Sequence, residues 1–297
     1  MKDRFDGEKD LISILVPTRK RPLNVIRLVD SALQTASEPS KIEFLFYVDE
    51  DDSTFKFDFK ENTKVKVVAG PRTWISLTYN VLYTHSSGEI LMYGADDIVF
   101  NTVGWDKSIR DTFDNMSDKI CLVYANDGVD QSQSIARHGF IHRRWFNITG
   151  TAFPSMRNVP IDLWCTEIAK KINRLRYLED VVIEHVHFRQ GKKALVDQTY
   201  LDAMSSAKSW DSKITYKKLN YEMRVDVVLL SEHMESKTKV EADYIIGEFL
   251  AHNNWITNRF KVDSRRLKTT RNLKIFFLVT KKIPVKFFHS VKRILNL

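Results

Sequence analysis

Three short runs of apolar residues, each ending abruptly in a polar cluster, constrain this chain more than any other feature of its sequence. Residues 11–16 (LISILV) give way to Pro17, Thr18 and Arg19, residues 42–48 (IEFLFYV) to Asp49, Glu50, Asp51 and Asp52, and residues 90–93 (ILMY) to Gly94, Ala95, Asp96 and Asp97. Near-continuous apolar runs of this length are expected of strands covered on both faces, as in a parallel sheet flanked by helices. The stretches between them are amphipathic. Pro22 suits the first turn of a helix over residues 22–34, with Val25, Ile26, Val29 and Leu33 on one face. A third strand at 65–68 and a helix over 74–84 complete an alternation that predicts an α/β fold with a mostly parallel sheet. In open sheets of this kind, ligands bind in the crevice beyond the carboxyl ends of the strands, so the three polar clusters are expected to converge on one cleft.

The second half is less regular. A strand is expected at 120–124, followed by the unusual segment HGFIHRRW at 138–145, a helix over 162–172, and a short strand at 181–183 running into Glu184, His185, Val186 and His187. Residues 198–256 read as mainly helical. The chain divides on this basis into a catalytic α/β part over 1–197, a helical part over 198–267 and a basic amphipathic tail over 268–297.

Net charge matters here through its position. The whole chain carries +8, yet from Arg259 onward there are twelve Lys and Arg against one acid, Asp263, so the body before it is slightly acidic. A basic tail on such a body points to contact with an anionic surface, phospholipid or nucleic acid, and excludes a dedicated nucleic-acid-binding body. Within the tail, Phe287, Phe288, Val291, Ile294 and Leu295 fall at helical spacing among Lys286, Lys292 and Arg293, the pattern of a helix lying on an anionic membrane; docking on its own domain is the competing use. Two cysteines, Cys121 and Cys165, lack the spacing of a disulfide framework or a thiolate metal site. With no apolar run of roughly 20 residues and a charged N-terminus, a cytoplasmic protein, free or peripheral on a membrane, is expected.

Asp96 and Asp97 carry the sharpest chemical signal. Hard cations such as Mn2+ or Mg2+ take carboxylate oxygens, and an ion bridging a diphosphate improves it as a leaving group. Paired aspartates are also ordinary turn residues. Trp105, Trp145 and Trp164 offer a sugar platform or simply core, and core is favoured.

ISILVPTRKRP, FYVDEDDSTF and GEILMYGADDIVF, in that order and spacing over residues 11–110, resemble the family-2-type GT-A glycosyltransferases, especially the compact kind frequent in phage and bacterial genomes. The resemblance implies a Rossmann-like GT-A domain with a helical C-terminal extension. It implies a nucleotide-diphosphate sugar donor, Mn2+ or Mg2+ as cofactor, and transfer to an acceptor hydroxyl with inversion. By the same resemblance Pro17, Thr18 and Arg19 line the base and ribose, Asp49 accepts from the base, and Arg72 and Asn80 face the diphosphate and sugar. Asp96 is the principal metal ligand, helped by Asp97, with His187 or His185 as a third. The first aspartate of the family motif is replaced by Gly94. Asp162 matches the catalytic base, which would take the proton of the attacking hydroxyl, although an aspartate at a helix start is also a common cap.

Three functions stay open at this point. They are a glycosyltransferase acting on a glycan or lipid-linked acceptor, a phage-type glycosyltransferase modifying a hydroxylated DNA base, and a non-catalytic nucleotide- or glycan-binding module. Nucleotidyltransferases are disfavoured because the first strand is not followed by a Gly-rich phosphate loop.

Overall fold

The computed structural model describes residues 7–56, 59, 61–128, 134–150, 152–154, 160–186 and 212–234, of which 212–221 as backbone only. Within them, eight strands form one sheet: β1 (Glu8–Thr18), β2 (Ile42–Asp49), β3 (Lys64–Gly70), β4 (Gly88–Tyr93), β5 (Ile98–Phe100), β6 (Leu122–Asn126), β7 (Gly139–His142) and β8 (Leu175–His185). Their order is β3-β2-β1-β4-β7-β6-β8-β5. The pairs β1–β2, β1–β4, β2–β3 and β6–β8 are parallel, while β7 runs antiparallel to both its neighbours and β5 antiparallel to β8. The expected mostly parallel α/β sheet is therefore present.

The helices are α1 (Pro22–Thr35), α2 (Ile75–His85), α3 (Trp105–Asp114), α4 (Arg143–Thr149), α5 (Ile161–Lys171) and α6 (Ser212–Glu232). Pro22 does open α1, where its missing N–H costs nothing. The buried face of α1 is Val25, Leu28, Val29 and Ala32. Ile26, expected on that face, is 42% exposed, because Leu28 and Ala32 complete a stripe turned away from it. The strand expected at 181–183 is the end of a much longer one. β8 pairs with β6 through residues 175–178 and, after a register shift, Val182, and with β5 through residues 183–185, so its charged middle reads poorly as a strand. HGFIHRRW splits into β7 and the start of α4, with His142 capping α4 by accepting from Arg144 N at 3.1 Å.

The core lies on both faces of the sheet and takes in β1 from Leu11 onward together with β2 and β4. Trp105 is fully buried, donating from Nε1 to Ala32 O at 3.1 Å, and Trp145 and Trp164 are buried as well, so all three serve as core. One carboxylate interrupts the apolar sheet. Glu43 Oε1 accepts from Ser13 Oγ at 2.6 Å and from Ser87 N at 2.5 Å, while Oε2 accepts from Lys66 Nζ at 2.9 Å. A side chain on nearby Gly88 would collide with Leu11 O and Ser13 Oγ, so strands β1 and β4 approach closely only because that position has none.

Contacts divide the chain into Met1–Thr238 and Lys239–Leu297. The second unit, most of the part expected to be helical over 198–267 and the whole basic tail lie outside the described residues. Among the described residues, no helix is long and apolar enough to cross a membrane.

Candidate functional site

β1, β2 and β4 are neighbours and parallel, so the polar residues that follow them meet at one end of the sheet. The first link runs between β1 and the loop after β4: Thr18 Oγ1 donates to Asp96 Oδ2 at 2.7 Å. The second runs between the loops after β1 and β2, where Arg19 Nη1 donates to Asp49 Oδ2 at 2.8 Å and Arg19 Nη2 to Asp51 Oδ2 at 2.8 Å. Lys20 then adopts a left-handed conformation, φ 55°, that directs its N–H to Asp52 Oδ2 at 2.6 Å. That unusual backbone turns the chain so that Arg19 reaches the β2 loop while Arg21 swings back to Asp96 Oδ1 at 3.0 Å. Asp52 is itself fixed by Thr54, which donates to Oδ1 from Oγ1 at 2.6 Å and from N at 2.9 Å.

Asp96 and Asp97 are chemically different. Asp96 is buried, and burial together with the like charge of Asp97 outweighs Arg21 and Thr18 to push its carboxyl up to about 6. For Asp97 burial again opposes ionisation, but the contact with His185 and the field of Arg21 win and hold it at about 2. Sheet pairing produces that contact. Ile98 on β5 lies opposite His185 on β8, and Val186 N donates to Asp97 O at 2.8 Å, which brings His185 Nε2 to 3.3 Å from Asp97 Oδ1. The two groups are close but not aligned for a hydrogen bond, which leaves Asp97 Oδ1 buried and unsatisfied as an acceptor. The ring of His138 packs edge-on to His185 with centroids 4.8 Å apart, and burial drives the His138 imidazole down to about 3.

Asp162 sits in the first turn of α5, two positions after the N-cap residue Pro160, and its Oδ1 accepts from Leu163 N at 2.8 Å. Burial raises its carboxyl above the ordinary value, against the fields of Arg137 and His185, and the phenol of Tyr79 feels Asp162, Asp96 and Asp97 together. The α5 start and the β4 end therefore share one electrostatic neighbourhood.

Other expected site residues fare differently. Pro17 is partly buried beside Thr18, and Arg72 is exposed in the loop after β3, which is tied to β2 by Tyr47 Oη donating to Pro71 O at 2.8 Å. Asn80 spends both ends of its amide on the backbone of Phe153, donating to its carbonyl and accepting from its N–H, each at 2.9 Å. His187 lies outside the described residues. Sequence reasoning missed Arg21, although its position in RKRP beside Thr18 was the available signal, and it missed His138 and Arg137. Cys121 and Cys165 are free and buried, with burial pushing Cys121 up to about 12.

Among the described residues, no three His, Cys, Asp or Glu side chains form a metal cage by themselves. The orphaned, ionised Asp97 Oδ1 beside the His185 imidazole nevertheless fits a divalent ion whose remaining ligands come from a diphosphate and water.

No protein-family model and no curated protein matches the chain. Solved structures do match in shape. S. aureus TarS 1-349 in complex with UDP aligns with a TM-score of 0.50 and 12% identity, covering 93% of this chain and 76% of that one. S. aureus TarS aligns with a TM-score of 0.50 and 13% identity over 88% of this chain, which spans 45% of that structure. Such likeness establishes a shared fold. The chain has a GT-A glycosyltransferase fold.

Proposed function

We propose that this protein transfers a sugar from a nucleotide-diphosphate donor to an acceptor hydroxyl with inversion. The observation that carries the reading is the convergence of Thr18, Arg19, Arg21, Asp49 and Asp96 at the carboxyl ends of β1, β2 and β4, with Asp162 electrostatically coupled to the same cleft. That TarS 1-349, which shares the fold, was solved in complex with UDP supports a nucleotide ligand.

In this reading the Arg19–Asp49 pair forms the edge against which base and ribose bind, with Pro17 beneath them. Exposed Arg72 offers its planar fork to phosphate oxygens. Asp97 and His185 would hold Mn2+ or Mg2+, with His187 as a further candidate, whereas Asp96 keeps the loop in place through Thr18 and Arg21. When bound, the ion offsets charge on the departing diphosphate. Asp162 removes the proton of the acceptor hydroxyl; its raised affinity for a proton matches it to that task. Asn80 acts at one remove, by fixing the backbone of Phe153. The tail over 268–297 is assigned to an anionic membrane surface on its spacing of basic and apolar residues.

A second reading, a nucleotide-binding module without turnover, draws on one observation: both oxygens of Asp96, the residue matched to the metal motif, are engaged by Thr18 and Arg21. A screen of nucleotide sugars for Mn2+-dependent hydrolysis, run on wild type and Asp162→Asn, separates the two. Hydrolysis or transfer that falls in Asp162→Asn supports the enzyme; binding with no turnover under any acceptor selects the module.

A further inference from the structure

Among the described residues, Trp105, Trp145 and Trp164 are buried, whereas Trp74 is 39% exposed and the adjoining Ile75 43% exposed. An aromatic ring left in water beside a second large apolar side chain is surface that a ligand can cover. The backbone beneath the ring is nevertheless fixed. Trp74 O accepts from Leu77 N at 3.0 Å and from Thr78 N at 3.2 Å in the first turn of α2.

Sheet pairing sets where that ring stands. β3 delivers the chain to the carboxyl ends of the strands, where Gly70 is the register partner of Asp49, Glu50 N donates to Gly70 O at 2.8 Å, and Tyr47 Oη donates to Pro71 O at 2.8 Å. α2 therefore starts at the end of the sheet that carries Asp49, Asp96 and Asp97. Tyr79, five residues further along α2, still reaches Gly94 O, just past β4, with its hydroxyl. The face of the sheet is fixed too. Val16, Phe46 and Val48 belong to the core cluster that packs under α1, and none of the buried residues of α2 does. Side chains alternate along a strand, so Pro17, Tyr47 and Asp49 point to the opposite face, where α2 packs on β1 and β2.

We propose that Trp74 is the stacking surface for the base of the nucleotide, an assignment that rests on the nucleotide-donor reading. A nucleobase offers a flat π-face that an exposed indole can cover. From β4 across β1 to β2 is two strand spacings, about 10 Å, comparable to the reach of a nucleoside diphosphate from its phosphates to its base. With the phosphates at Asp97, the base comes to the end of β2, beside Asp49 and the start of α2. An acceptor sugar is the poorer occupant. His185 on β8, and Asp162 on α5, which packs on β6 and β8, lie beyond β4 from Trp74.

Titration of UDP and of GDP with Mn2+ into wild type, Trp74→Ala and Trp74→Phe, followed by calorimetry and by tryptophan emission, tests the stack. We expect Trp74→Ala to weaken the diphosphate that binds by about 5- to 150-fold, the range for one lost base–aromatic stack, and Trp74→Phe to keep most of the affinity. In wild type the nucleotide should quench part of the emission that remains after Mn2+ is added. In Trp74→Phe, which still binds, that quench should vanish. Affinity unchanged in Trp74→Ala, equal losses in both variants, or a quench that is missing from wild type or survives in Trp74→Phe overturns the stack and leaves nucleotide binding standing. Binding of neither nucleotide by the wild type removes the donor reading, and the stack with it.

Discussion

The hydroxyl of Thr18 donates to Asp96 Oδ2 at 2.7 Å across 78 positions of sequence, joining the ends of β1 and β4. Replacing it by valine keeps the shape but leaves a buried carboxylate oxygen without its donor. Thr18→Val is expected to cost about 1–3 kcal/mol in stability, the penalty of an unsatisfied buried acceptor, and to weaken nucleotide binding because the loop bearing Asp97 loses its anchor. Thermal unfolding with and without UDP measures both, and a variant unchanged in each contradicts the role given to this bond.

Asp97 and Asp96 are predicted to separate by mutation. Asp97→Asn removes the ionised oxygen beside His185 and should abolish Mn2+-dependent UDP binding while the fold survives. Asp96→Asn retains an acceptor for Thr18 and removes a charge whose burial outweighs its pairing with Arg21, so at neutral pH neither stability nor the metal dependence of UDP binding should fall much. Titration of UDP at several Mn2+ concentrations distinguishes them, and the opposite ranking would return the metal to Asp96.

Asp162→Asn should lower turnover by roughly 10²- to 10⁴-fold, the usual scale of general base catalysis, with KM little changed. Burial raises the folded carboxyl above its ordinary 3.8. Since the reactive form is the carboxylate, activity should fall with decreasing pH along a limb lying above 3.8. A carboxyl raised in the folded state costs more to ionise there than in the unfolded chain, so at neutral pH the Asn variant should be at least as stable as wild type. An active, destabilised variant would make Asp162 a structural residue.

What the sequence revealed, and what it hid, follows from range. β1, β2 and β4 were legible because strands buried on both faces read as unbroken apolar runs, and their polar ends followed directly. α5 was legible from its own periodicity. Arg21 with Asp96, Asp97 with His185, and Asn80 with Phe153 are pairings between distant segments, and no local pattern encodes them. β8 was cut short because its middle, Glu179 and Asp180, is exposed between two different partners. The lone Glu43 in an apolar strand gave no hint of its partners on β1, β3 and the β4 entry.

Glu43 yields a prediction independent of function. Burial opposes its charge, but bonds from Ser13, Ser87 and Lys66 more than compensate and lower its carboxyl below 4.5. Its stabilising effect is therefore complete above 4.5 and is lost as pH falls through the lowered folded value. Glu43→Gln should destabilise by about 1–3 kcal/mol at pH 7, and the gap to wild type should close in acid. Denaturant unfolding at pH 7 and pH 3 checks it; a gap that widens in acid contradicts this account of the charge.

The central claim is that the ends of β1, β2 and β4 form a cleft for a metal-bound nucleoside diphosphate. Isothermal titration of UDP and GDP into the wild-type protein, with and without Mn2+, tests it most directly. The account predicts saturable binding of at least one diphosphate that requires the ion and disappears in Asp97→Asn. Absence of binding by either nucleotide, or binding indifferent to both Mn2+ and Asp97, would contradict it.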